Sequence, residues 1–381
     1  MKTTATSTDE HQLCKCKWLP DPAEYPQSRL FSLDALRGLD MLLLTVLGPL
    51  ITTMQSSWHC FPAAFMGQFK HGWECFTLWD IIMPLFIFMC GAAMPFALGR
   101  RLKDGQGVFW RHVLWRVVLL WVLGGLVQGN WASLDPQRFS PFSNTLQSIA
   151  IGYLVVAMVM SFRSRVLAIV APILLALGYT VVLAVGGYGE WNNPAYRVDQ
   201  AIFRAMMPAD NIWITKPNHY TWFLTSAMFA VMTFAGYHTT LILTKDRGKW
   251  QRASQLFAYG AGLLTIGFVS EIWVPCIKPI YTLSFTAQAM GWCVLALDAL
   301  YVINDIWMVR RGFSLVLLFG QCALTAYFVS HFFRKLLSHM AELVANLPSG
   351  VPATDFVVKF IFVLELIAVM AFWRRFRNEG R

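Results

Sequence analysis

Charge is what this chain has least of. Asp, Glu, Lys and Arg make up 14% of its 381 residues, where soluble proteins carry about 25%. That deficit excludes an ordinary water-facing surface. No glycine-rich phosphate loop of Walker or Rossmann type occurs, so a soluble nucleotide-binding fold is not expected. No His-Glu-x-x-His pair occurs either. The eight cysteines have no zinc-finger spacing, and no metal site is expected. Residues 1–28 are polar, with Pro20, Pro22 and Pro26, and no apolar run follows the start. A cleavable signal peptide is therefore not expected, and this stretch reads as a flexible tail.

What the chain has instead is long apolar runs. Hydrophobic residues make up 56% of it. A spanning helix needs roughly 20 mainly apolar residues. About ten runs meet that rule, near 35–54, 77–99, 108–129, 143–161, 165–186, 221–243, 256–275, 283–304, 313–333 and 355–373. Several, such as Leu167 to Leu177, are apolar on every side, which belongs in a bilayer rather than in a soluble helix. The expected fold is all-α: a polytopic membrane domain over 29–376, with tails at 1–28 and 377–381. No internal repeat is visible.

The net charge of +10 is placed in alternate connections. Basic residues gather at Arg100, Arg101 and Lys103, at Arg163 and Arg165, from Lys245 to Arg252, at Arg310 and Arg311, and from Arg374 onward. Such asymmetry marks the cytoplasmic side. Both termini are then cytoplasmic, in keeping with an even number of spans. Topology accounts for the basic balance, so no nucleic-acid partner is invoked. Of the cysteines, Cys60, Cys75 and Cys276 fall on the outer side, where a disulfide is chemically allowed. Three outer loops are long, near 55–76, 187–220 and 334–354. The middle one is rich in aromatics and contains a short amphipathic stretch near Val198. It reads equally as a lid or as a plain crossover.

Ionisable groups inside or at the mouth of an apolar span are costly and so are candidates for function. Asp34 and Arg37 are three apart and share a helix face, with Asp40 a turn beyond. They read either as local neutralisation or as a site for an anionic group, since the arginine fork suits phosphate. His71 precedes the second span and can serve as acid, base or nucleophile. Asp80 lies about a turn into that span, where a buried carboxylate could orient a histidine. Asn144 and Gln147 share a face and could hydrogen-bond an amide-bearing ligand. Other polar groups in spans, among them His238 and Glu271, read as helix-to-helix bonds.

Ser32-Leu-Asp-Ala-Leu-Arg-Gly38 resembles the opening motif of the heparan-alpha-glucosaminide N-acetyltransferase family. The resemblance continues from His71 through Trp79-Asp80-Ile-Ile-Met-Pro84 to Gly91. It recurs at Asn144-Thr-Leu-Gln147, at Leu224-Thr-Ser through Gly236, at Lys278-Pro-Ile-Tyr, and from Phe319 to Tyr327. The His71-to-Trp73 interval is one residue shorter than the family's. Cys75 stands at a family glycine, and His219-Tyr-Thr-Trp222 stands where a polar Asp-Pro-Glu-Gly is usual.

The resemblance implies a bacterial inner-membrane enzyme, with a homodimer as its assembly. It would take acetyl from cytoplasmic acetyl-CoA and pass it to the amino group of a glucosamine-type sugar or glycan on the far side. His71 and Asp80 would be catalytic. Asp34, Arg37, Arg100, Arg101 and Arg116 would meet coenzyme A. Asp40, Asn144, Gln147 and Lys278 would meet the acceptor. Trp191, Tyr196, Tyr220 and Trp222 could stack on a sugar ring. The competing expectations are a multispan carrier for a small polar solute or glycan, and a silent relative that only binds one.

Overall fold

The structure is a computed structural model that describes residues 30–70, 72–74, 76–127, 131, 134–216, 218–332 and 352–379. His71 and Cys75, the 1–28 tail and most of the 334–354 loop lie outside the described residues. The chain is all-helical, with no strand among the described residues. The first span is one rod in three parts: α1 (Phe31–Leu42), a π-helical turn (Leu43–Leu47) and α2 (Gly48–Trp58). A short α3 (Ala63–Gly67) follows. The second span begins as a 3₁₀ turn, Leu78–Ile81, and continues as α4 (Ile82–Lys103). Next come α5 (Gln106–Val127), α6 (Thr145–Ser161) and α7 (Arg165–Gly186). Two short helices, α8 (Pro194–Met206) and α9 (Ile212–Thr215), fill the long middle loop. The rest is α10 (Ser226–Leu243), α11 (Lys249–Ser270), α12 (Leu283–Tyr301) with a π turn Val302–Ile306, α13 (Ser314–Gln321), α14 (Ala323–Phe332) and α15 (Pro352–Glu379).

Seven helices among the described residues are long and apolar enough to cross a membrane, or eight if α13 and α14 count as one broken span. All ten expected runs fall on helices, but two depart from the expected form. α6 has only 17 residues, about 25 Å of rise against a hydrocarbon core of about 30 Å. The run at 313–333 is bent by 78° at its break. For α15, several side chains lie outside the described residues.

The apolar surface is arranged for lipid. Only 17% of the apolar window of α7 and 22% of that of α11 is buried, against 67% for α10 and 61% for α4 and α12. Beyond Arg165 at its start, the exposed face of α7 is uncharged and includes Ile169, Ile173, Leu174 and Val181. A soluble protein would not leave such a face to water. Inside, the helices approach closely at glycines. A Cβ on Gly91 of α4 would lie 1.9 Å from the Thr233 carbonyl oxygen, and one on Gly236 of α10 would lie 1.9 Å from that of Phe88. Small residues that let backbones touch are how spans associate in lipid. The expected interhelical bonds are also present. Gln288 Nε2 donates to Glu271 Oε2 at 2.7 Å, and His238 Nε2 lies 3.0 Å from the Ala168 carbonyl.

The two ends of the bundle differ. At one, Arg163 Nη2 donates to the Leu102 carbonyl (2.6 Å) and Gln106 Nε2 to that of Ser161 (3.1 Å). Lys249 Nζ donates to the Asp305 carbonyl (2.9 Å), and the Ser32 N–H to Asp305 Oδ2 (3.1 Å). These bonds tie the α4–α5 turn to the α6–α7 turn, and the start of α1 to the α10–α11 turn through Asp305, at the end of the bundle where the basic residues gather. At the other end the loops lock together. Asn211 Nδ2 donates to the Pro136 (2.8 Å) and Phe139 (2.9 Å) carbonyls, and the Thr221 N–H to that of Pro279 (3.2 Å).

Candidate active site

Local rules fix the second span's entry. Thr77 is extended, with φ −119° and ψ 165°, and starts the 3₁₀ turn as its N-cap. Its N–H and Oγ1 both donate to Asp80 Oδ2, at 2.9 and 2.7 Å, closing a capping box. The other carboxylate oxygen, Oδ1, lies 3.1 Å from Lys278 Nζ. Both side chains of that pair are nearly sealed, at 2% and 6% exposure. Lys278 arrives from the turn between α11 and α12. Glu74 pairs with Ile277 in an isolated antiparallel bridge one residue away. Phe76 packs on Phe285, with ring centres 5.6 Å apart.

The loop that carries His71 is therefore fastened on both sides. The Trp79 N–H donates to the Gln68 carbonyl at 3.0 Å, and Thr77 Oγ1, whose proton goes to Asp80, lies 3.3 Å from the Lys70 carbonyl. Two residues beyond His71, the Trp73 ring stands 6.0 Å from that of His219. His219 Nδ1 lies 3.0 Å from Glu190 Oε1. The Trp191 and Tyr220 rings stand 6.1 and 5.3 Å from that of His219. Tyr220 continues to Trp222 at 6.5 Å, nearly parallel, and Trp191 to Tyr196 at 5.8 Å. The four expected aromatics thus form one run, joined through a histidine and a glutamate that the sequence did not single out. The missed signal was their place: His219 sits in the segment where the family motif is replaced.

The middle loop is held down by Asp199 of α8, whose Oδ2 accepts the N–H of Trp222 (2.7 Å) and whose Oδ1 accepts that of Phe223 (3.1 Å). Burial raises this carboxyl to about 7, against the pull of those two donors. Two donors at this end have no hydrogen-bond partner among the described residues, Tyr281 Oη and Trp222 Nε1. Buried polar groups are rarely left so. Asn144 Oδ1 is used locally, capping α6 through the Leu146 N–H at 2.9 Å. Gln147 uses both ends of its amide on the same turn, accepting the Ser143 N–H (2.9 Å) and donating to the Pro141 carbonyl (3.0 Å).

At the basic end, Arg37 Nη1 lies 3.2 Å from Asp34 Oδ1, one turn apart on α1. This stretch of α1 is pressed onto α13: a Cβ on Gly38 would lie 1.8 Å from the Val316 carbonyl oxygen. Asp40, one turn further, is 3% exposed, and its Oδ2 has no partner among the described residues. The π turn Leu43–Leu47 follows at once, and such turns recur at functional sites. Arg116 of α5 lies over the Tyr153 ring at 4.8 Å and reaches the Cys90 thiol, on which the Arg37 charge also acts. Arg37 and Arg116 are thereby brought to one interior region. Arg100 is exposed at the bundle end, and Arg101 turns back to the Ala97 carbonyl. Of the outer cysteines, Cys60 is exposed and Cys276 is buried. No cluster of metal-binding side chains occurs among the described residues.

Residues 29–193 match the family described as heparan-alpha-glucosaminide N-acetyltransferase, catalytic. Over that stretch the chain is similar to this family. No curated protein matches the chain. The matched stretch holds Asp34, Arg37, Asp40, His71, Asp80, Arg100, Arg101, Arg116, Asn144, Gln147 and Glu190. Lys278, His219 and Tyr281 lie beyond it in sequence, and the fold brings them against it.

Proposed function

We propose that the chain is a transmembrane N-acetyltransferase that uses both ends of the bundle. The basic end faces the cytoplasm and receives acetyl-CoA. Its phosphates are met by cations at that end, Arg100 and Arg101 first. Its slim acyl-bearing arm enters the interior beside Arg37 and Arg116. The looped end receives the amino group of a glucosamine-type sugar. The observation that carries this reading is the fastening of the 70–80 loop, inside the family-matched stretch, onto the buried Asp80–Lys278 pair. That fastening holds the backbone on either side of His71.

The chemistry needs a nitrogen base at that point. In one form, His71 attacks the thioester carbonyl. The carbon–sulfur bond breaks, coenzyme A leaves as its thiol with the imidazole proton, and the acetyl stays on the ring nitrogen. The sugar amine then attacks the acetyl carbon, the carbon–imidazole bond breaks, the amine proton passes to the freed ring nitrogen, and the N-acetyl sugar leaves. In the other form, the amine attacks the thioester directly while His71 takes the amine proton; the carbon–sulfur bond breaks and that proton passes to the sulfur, so that coenzyme A leaves as its thiol. In both, the aromatic run from Trp73 to Tyr196 offers stacking faces to the sugar, and the unpartnered donors at Tyr281 and Trp222 offer hydrogen bonds to it.

The deciding experiment is transfer of labelled acetyl from acetyl-CoA to glucosamine by the detergent-purified protein, beside His71→Ala. Product from the parent and none from the variant is the expected result. Equal product from both removes His71 from the mechanism. A carrier would show solute flux without acetyl-CoA; the α13–α14 break is a feature carriers use, but they use such breaks in matched pairs.

A further inference from the structure

A groove of about 1220 Å³ lies on the membrane-facing side of the bundle, away from both regions above. α7 and α11 form its walls, and α10 and α12 lie behind. It runs from Leu102, Arg163, Arg165 and Lys245 at the basic end to Ile266 and Leu283 in the opposite half. Its volume exceeds the roughly 300–1,000 Å³ of ordinary small-molecule pockets. Along most of its length the walls are hydrocarbon, as at Ile173, Leu177, Val231 and Met290. Such walls give a sugar or a nucleotide nothing to bond.

The mouth is different. Arg163, Arg165 and Lys245 are all exposed there, and no carboxylate is among the lining residues. None of the three forms an ion pair with a described residue. Arg163 sits in the left-handed region at φ 53° and donates to the Leu102 carbonyl, which places it at the α4–α7 seam. Three uncompensated cations over an apolar trough match one ligand chemistry: a phosphate carrying long acyl chains. Basic pockets between spans on the cytoplasmic side hold anionic headgroups in this way.

We infer that this groove is a specific site for an anionic phospholipid. Its phosphate sits among Arg163, Arg165 and Lys245, and its chains lie along α7 against Ile173 and Leu177. A second copy of the chain is a poorer occupant. A two-fold contact through this groove would set the same cations against one another at the same depth, and like charges there cost affinity. The lipid also supplies what α7 lacks. That helix is the least buried of the candidate spans, and on this face it is tied to α10 through the His238 contact with the Ala168 carbonyl. The site is independent of the proposed acyl transfer.

The test is native mass spectrometry of the purified protein titrated with phosphatidylglycerol or phosphatidylcholine of identical chains. Thermal unfolding is followed in parallel. The expected result is at least about tenfold tighter retention of phosphatidylglycerol, since cations at the membrane surface favour an anionic headgroup. A rise in Tm should come with phosphatidylglycerol alone. The preference should vanish in Arg163→Gln/Arg165→Gln/Lys245→Gln, whose three sites are all exposed. Ile173→Trp, at another exposed site, should weaken both lipids. Should the triple variant not fold, Lys245→Gln and Ile173→Trp carry the test alone. Equal retention of the two lipids, or a preference that survives loss of the cations, overturns the inference. So does displacement of the lipid by inorganic phosphate at equal concentration, or a dimer that Ile173→Trp converts to monomer.

Discussion

Lys278 Nζ and Asp80 Oδ1 stand 3.1 Å apart with both side chains nearly closed to solvent, although 198 positions separate them in the chain. Asp80 opens the second span, and Lys278 sits in the turn before α12. The pair therefore ties the His71 loop to a segment outside the family-matched stretch. Two further bonds run from Thr77 to Asp80 Oδ2.

Removing one partner of a buried ion pair leaves the other charge uncompensated, at a cost of about 3–5 kcal/mol, whereas replacing both is far milder. Lys278→Met alone should lower the Tm of the purified protein and abolish acetyl transfer. Lys278→Met/Asp80→Asn should recover most of the Tm but not the transfer, because the loop is then folded but no longer held by charge. If the double variant is as unstable as the single, the pair is not a coupled unit.

The glycine contacts give a sharper test of packing. Gly91→Ala puts a methyl group 1.9 Å from the Thr233 carbonyl oxygen, a backbone atom that cannot swing aside. α4 and α10 must then separate, and the Tm should fall steeply. Gly99→Ala, two turns along the same helix, meets nothing within 4 Å. It should be neutral, or stabilising by up to about 1 kcal/mol through helix propensity. Equal effects at the two positions would mean that α4 and α10 do not cross as described.

Much of this was legible in the sequence, and the reason differs by element. The apolar runs located the helices because a span must satisfy its backbone within itself. Asp34 with Arg37 was legible because i,i+3 spacing on a helix dictates contact. The break at Gln321 and Cys322 was not legible: Gly320 and Gln321 stand beside it, but a single glycine and a single amide are common inside spans and do not by themselves mark a 78° bend. Lys278 was singled out by motif alone, and its partner depended on how two distant loops meet. Asn144 and Gln147 looked like ligand contacts. Capping α6 and holding the 141–147 turn engage all of Gln147 and the oxygen of Asn144, because a short helix starting after a proline-bounded turn needs its first N–H groups satisfied. Glu190 with His219 depended on the path of a long loop, which periodicity does not encode.

Asp199 should make the docking of α8 depend on pH. Its carboxyl is raised from 3.8 to about 7 by burial when α8 is docked. A group whose pKa is raised in the docked state stabilises docking fully below the undocked value. That contribution is lost as pH rises through the docked value. Docking should be tightest below about pH 4, weaken up to about pH 7 and stay level above it. Limited proteolysis of the 187–220 loop across this range reads the change, with cleavage rising with pH. Asp199→Asn keeps an oxygen to accept a backbone N–H but cannot ionise, so its profile should be flat. A parent-like slope in that variant would assign the dependence to the neighbouring Glu190–His219 pair instead.

His219 separates acceptor binding from acyl transfer. Its ring stands 5.3–6.1 Å from those of Tyr220, Trp73 and Trp191, and Glu190 holds it through Nδ1. If these rings form the sugar platform, His219→Ala removes the residue that aligns them. Loss of one such contact costs on the order of tenfold in affinity. KM for glucosamine should then rise about tenfold, with kcat changed much less and KM for acetyl-CoA unchanged. Glu190→Gln should shift the acceptor KM in the same direction by a smaller factor, since an amide oxygen still accepts from the ring. A fall in kcat at constant KM would move His219 from holding the acceptor into the transfer step itself. Unchanged kinetics in both variants would place the sugar elsewhere on the looped end.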